Sequence, residues 1–148
     1  MANAASNYLE NALLDHTLRR GTTGTSRSAL TQPGSTSTGI SVALLSGTTA
    51  TVLANLETGS VTNEITLGSY ARQSVSFGSA ASGTSANDST VTFPTATADY
   101  DGTVTCLAIM DAASGGNVLF YGALTVPKTV TTGDTFQIAV GNLQVSLS

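Results

Sequence analysis

The sequence predicts an all-β fold: an antiparallel β-sandwich of jelly-roll type, preceded by a short N-terminal helix and an extended arm. Three observations carry this. From Ile40 onward apolar residues recur with period two. Clusters of Gly, Pro, Asn and Asp break these runs at short intervals. Ser and Thr make up roughly three residues in ten; Thr suits a pleated surface through its branched Cβ, and Ser and Gly supply turns.

Composition narrows the function classes. A chain of 148 residues is the size of one domain. With 41% hydrophobic residues and a net charge of −4, disorder is excluded for its body. Only 9% of residues are charged, against about 25% in ordinary soluble domains. A surface of Thr, Ser, Ala and Gly is easily desolvated, so packing against neighbouring subunits is expected. Five basic residues in an acidic chain argue against nucleic acid, which needs clustered Lys and Arg. The one close grouping, Arg19-Arg20 and then Arg27, suits a helix C-terminus, where cations complement the dipole. Cys106 is the single cysteine and lies within the apolar run Val104 to Met110; it reads as a small core residue, with no intrachain disulfide possible. No run has the length of a membrane helix. Residues Met1 to Ser6 show no basic segment leading into an apolar one, so no secretory signal is expected, and the chain is expected to stay in a cytoplasm until assembled.

The elements follow in order. Ser6 can cap a helix from Ser6 to Arg20, with Leu9, Leu13, Leu14, Ala12 and Leu18 as its apolar stripe and Gly21 just past its end. Gly21 to Gly39 lacks periodicity and reads as a linker or arm. The predicted division is thus 1–39 for helix and arm and 40–148 for the sandwich. Ile40, Val42 and Leu44 alternate with Ser41 and Ala43 in a first strand; Glu64 to Leu67 is a short candidate. Ala71 to Phe77 and Ser89 to Phe93 alternate cleanly, with a Ser/Ala/Gly loop over Gly78 to Asn87 between them and Pro94 as a stop. Thr103 to Asp111 and Asn117 to Val126 are apolar on both faces and predict a central hairpin ended by Pro127. Phe136, Ile138 and Val140, then Leu143, Val145 and Leu147, predict a last pair around Gly141-Asn142. The expected core comprises Val104, Leu107, Ile109, Leu119, Phe120, Phe136, Ile138 and Val145.

Catalytic patterns are sparse. The lone histidine, His16, lies in the helix, far in sequence from Cys106 and from any nucleophile elbow. Asp99, Asp101 and Gly102 open like a calcium loop but lack its remaining ligands, and read as turn residues. Asn87-Asp88-Ser89 matches a glycosylation triplet that has no meaning without secretion. No enzyme, metal or cofactor is expected.

A set of motifs spread along the chain carries a resemblance: Asn7-Tyr8-Leu9-Glu10-Asn11 and Leu13-Leu14-Asp15-His16; Val42-Ala43-Leu44; Tyr70-Ala71-Arg72-Gln73; Val91-Thr92-Phe93-Pro94 with Ala96-Thr97-Ala98-Asp99; Ile109 to Asp111 with Gly115-Gly116-Asn117; Tyr121-Gly122-Ala123-Leu124; and Gly133-Asp134-Thr135-Phe136. Together they resemble small virion proteins of tailed bacteriophages, of the tail-fibre-like or structural kind. The similarity spans nearly the whole chain and departs mainly in Gly21 to Gly39 and Thr48 to Asn63. It implies a virion component, assembled in the host bacterial cytoplasm, with no catalytic residues to carry over. The leading expectation is a capsid decoration (cement) protein, homotrimeric, bound outside the major capsid lattice. The alternative is a tail, baseplate or fibre-attachment protein. A carbohydrate-binding module is a third reading, disfavoured by the absence of Trp and the presence of only four Tyr. Expected partners are further copies of the chain and the major capsid protein or tail proteins, with neither nucleic acid nor membrane. The assembly interface is expected at Tyr8, Leu9, Leu13, Leu14, Arg19, Arg20 and Arg27.

Overall fold

The two doubly apolar runs form the centre of the molecule. The computed structural model describes residues 4–18 and 39–147. The chain order is β1 (Ala4–Ala5), α1 (Asn7–Leu18), β2 (Ser41–Ser46), α2 (Thr49–Glu57), β3 (Gln73–Ser74), β4 (Thr84–Ala86), β5 (Val91–Thr92), β6 (Val104–Met110), β7 (Val118–Lys128), β8 (Gln137–Ile138) and β9 (Gln144–Ser146). A five-stranded sheet runs β1-β7-β6-β2-β3, and two-stranded ribbons pair β4 with β9 and β5 with β8. All these pairings are antiparallel.

The central strands are apolar on both sides because both sheet faces are covered. Val42, Leu44, Val104, Leu107 and Ile109 face one cluster, filled by Phe93, Phe136, Ile138 and Leu143 from the ribbons and their connections. Ala43, Leu45, Cys106, Ala108 and Met110 face the other, filled by Val52 and Leu56 of α2. Each of those two side chains, fully buried, contributes about 1.5–3 kcal/mol. The antiparallel, mainly β character is as expected. The pairings do not establish a jelly-roll sandwich: α2 covers one face of the sheet, and two-stranded ribbons with their connections cover the other.

Helix α2 is the element that strand periodicity misses. Thr49, Thr51 and Val52 are β-branched and weak helix formers. Val52 and Leu56 nevertheless stand four apart, which puts both on the sheet. Gly59, at φ +84°, ends the helix in a Schellman arrangement: its amide donates to the Leu56 carbonyl, and that of Ser60 donates to Asn55 at 2.8 Å.

Other expectations shift locally. Strand β7 runs through Pro127 to Lys128. It can do so because Cys106 pairs with Ala123 and Val104 with Lys128, so residues 124–127 bulge away from β6 where the missing proline N–H costs no ladder bond. Within the expected loop over Gly78 to Asn87, Thr84–Ala86 forms β4. The last two strands do not pair with each other: β8 joins β5 and β9 joins β4. Chain direction changes at Ala139–Asn142, where Asn142 donates to the Ala139 carbonyl. Val140 is consequently exposed, as is Leu147 at the ribbon end. Of the expected core, Phe120 and Val145 are half-buried and the other six are buried.

Candidate functional site: the assembly surface

Ser6 sets the position of α1. Its amide donates to the Leu119 carbonyl at 3.0 Å, its hydroxyl donates to the Val118 carbonyl, and its own carbonyl accepts from Glu10. The same hydroxyl receives the Leu9 amide at 3.4 Å, as an N-cap does. With Ala4 and Ala5 paired to Tyr121 and Phe120, the start of the helix is fastened to β7. Leu9 turns onto the sheet core and is half-buried. Tyr8 is 49% exposed, Leu14 53% and Leu13 38%. Of the predicted stripe, Leu9 packs into the sheet core, while Leu13 and Leu14 stand at the surface. Arg19, Arg20 and Arg27 lie outside the described residues, as does the arm up to residue 38, and the side chain of His16 is likewise outside them.

A second apolar feature lies on β7. The bulged residues and the segment after it enclose a groove of about 780 Å³, lined by Leu107, Leu124, Val126, Val130, Phe136 and Ile138 among others. Val126 stands 61% exposed at its rim. Lys128 and Asp134 supply its charges. Asp134 is already committed: it accepts from the Thr131 amide and hydroxyl, which hold its carboxyl below the usual range.

Much of the other polar chemistry among the described residues is spent on turns. Asp99 accepts from the Thr132 amide at 2.7 Å and from its hydroxyl. Asp101 does the same for Thr66. Asn87, 1% exposed, donates its side-chain amide to the carbonyls of Ser89 and Ala139 and accepts the Leu143 amide. That burial removes it as a glycosylation acceptor in the folded state. The most elaborate group was not expected from sequence. Arg72 clasps Glu64 through two donors at 2.7 Å each and reaches the carbonyls of Ala112 and Gly115 with a third. The Tyr70 hydroxyl donates to Glu64 at 2.9 Å and accepts the Leu44 amide. Burial, reinforced by the Glu64 carboxylate, pushes the Tyr70 phenol well above its ordinary value. The bond to Glu64 likewise raises Arg72.

Several motifs that carry the phage resemblance, Tyr70-Ala71-Arg72, Ala96 to Asp99, Gly115-Gly116-Asn117 and Gly133-Asp134, thus meet in these turn-fixing contacts. Among the described residues, no group of three His, Cys, Asp or Glu side chains could hold a metal ion, and no helix is long and apolar enough to cross a membrane. This geometry defines a small, mainly β domain with well-fixed turns and apolar side chains at its surface. Residues 4–146 match the family model of podophage GP4 fiber I protein gp80, and the chain belongs to that family. It is accordingly a structural component of a phage virion. No curated protein matches the chain.

Proposed function

We propose that the chain serves as a non-enzymatic subunit of a phage tail fibre or fibre-attachment assembly, binding further copies of itself as a homotrimer and contacting other tail proteins. The observation that carries this is the match to a fibre-protein family over almost the full chain. The structure supports it in two ways. Exposed Tyr8 and Val126 offer apolar contacts beside few charges. The turns are tied by side-chain hydrogen bonds, which suits a part that must keep its shape under load. Capsid decoration, the leading sequence-based expectation, draws no support from the family; the fibre alternative fits it better. The test is copy number. Quantitative mass spectrometry of purified particles should find the chain at a small fraction of the major capsid protein. Near-equal amounts of the two proteins would instead establish a shell component.

A further inference from the structure

We propose that the Glu64–Arg72 pair is a latch that fixes the β6–β7 turn, Asp111 to Asn117, in one conformation, while the sheet owes it little stability. The Arg72 side chain is 6% exposed and that of Glu64 16%. An ion pair this enclosed gains little net stability, because desolvation offsets the attraction; what it supplies is direction. Here the direction is specific. The planar guanidinium divides its donors between one carboxylate and two turn carbonyls, with Gly115 at 2.6 Å and Ala112 at 3.2 Å. Glu64 is itself held, by the Tyr70 hydroxyl and by the bridge of its backbone to Leu45 of β2.

The turn needs such a restraint. Its sequence, Asp-Ala-Ala-Ser-Gly-Gly-Asn, carries two consecutive glycines in the left-handed region, Gly115 at φ +62° and Gly116 at φ +74°. Glycine has the widest conformational freedom of any residue, so a turn built on two of them is ordered by the side-chain contacts made to it. On one side Asp111 accepts the Asn117 amide at 2.6 Å and its side-chain amide at 2.8 Å. On the other, Arg72 is the contact that reaches across from the strand β3 edge. Ser114, Gly115, Gly116 and Asn117 are exposed, so the latch orders a surface, not a core.

Backbone ¹⁵N relaxation on the full chain tests this. In Arg72→Lys, which keeps the charge but loses the fork, the order parameters of Gly115 and Gly116 should fall from about 0.85 to below about 0.6. Amides of β6 and β7 should keep their hydrogen-exchange protection. Unchanged order in the turn overturns the proposal, since Asp111 and the ladder would then suffice. Loss of protection in β6 and β7 together with the turn also overturns it, since the pair would then be a general strut. Should Arg72→Lys not fold, the double variant Arg72→Met/Glu64→Gln, which removes both charges and leaves neither buried alone, decides by the same readout.

Discussion

Phe93→Ala is the substitution whose cost the structure specifies best. Phe93 is 1% exposed and sits where the ribbons meet the sheet. Its ring stacks on Tyr70 at 5.9 Å and meets Phe136 edge-on at 5.6 Å. Truncating a buried Phe to Ala costs about 3–5 kcal/mol, and each aromatic pair adds about 0.5–1.5 kcal/mol beyond area burial. Two pairs are lost here, and the neighbours cannot collapse freely. Tyr70 is tied at its hydroxyl to Leu44 and Glu64, and the Phe136 carbonyl is tied to the Phe93 amide at 3.0 Å. We therefore expect the upper part of the range, about 4–5 kcal/mol. For a domain of this size that lowers the melting temperature by about 10–20 °C. Urea titration followed by circular dichroism should show a lower midpoint with an unchanged slope. A loss below about 1 kcal/mol would mean that the ring is not enclosed and that the ribbons do not pack on this face.

Further outcomes follow from other parts of the structure. Leu56→Ala should cost about 2–5 kcal/mol by urea titration, and a neutral result would detach α2 from the sheet. Gly116→Ala should destabilise by more than about 1 kcal/mol, because an added Cβ would press on Asp111 and lie 2.7 Å from the Ala112 Cβ; an unaffected melting temperature contradicts the turn geometry. Cys106 is fully buried, and burial raises its thiol above the ordinary value; a thiol reagent should label it only on unfolding, and prompt labelling of the native protein would be inconsistent with this core. At Asp101 burial opposes ionisation, but the bonds from Thr66, with those from the backbone amides of Asp101 and Leu67, together outweigh it and lower the carboxyl. A lowered carboxyl adds stability that is present above its unfolded value and lost as pH falls through the folded one. Asp101→Asn should therefore flatten the loss of stability below about pH 4, and an identical acid limb would show that the hydrogen bonds to this carboxylate carry no weight.

How far the sequence foretold this structure depended on what each residue's signal encodes. The doubly apolar runs around Cys106 and Leu119 announced the central hairpin because burial on both faces leaves no polar alternation. Ser6 announced its helix because capping is local chemistry. Helix α2 was hidden: Thr49, Thr51 and Val52 carry strand propensity, and tertiary burial of Val52 and Leu56 overrides it. Val140 and Leu147 followed the alternating pattern yet lie outside, since β8 stops at Ile138 and the pattern outlasts the strand. Of the expected interface, Leu9, Leu13 and Leu14 were legible as an apolar stripe, but which of its leucines packs on the sheet depends on the β1–β7 pairing, a contact between residues more than a hundred apart. The Arg72 network was invisible for the same reason: nothing local to Arg72 indicates Gly115.

The central claim is that this chain is built into a phage fibre. Immunogold labelling of intact purified particles, with antibody raised against residues 40–148, tests it most directly. The account predicts gold confined to the fibres or to their attachment points on the tail. Gold spread over the capsid shell would contradict it.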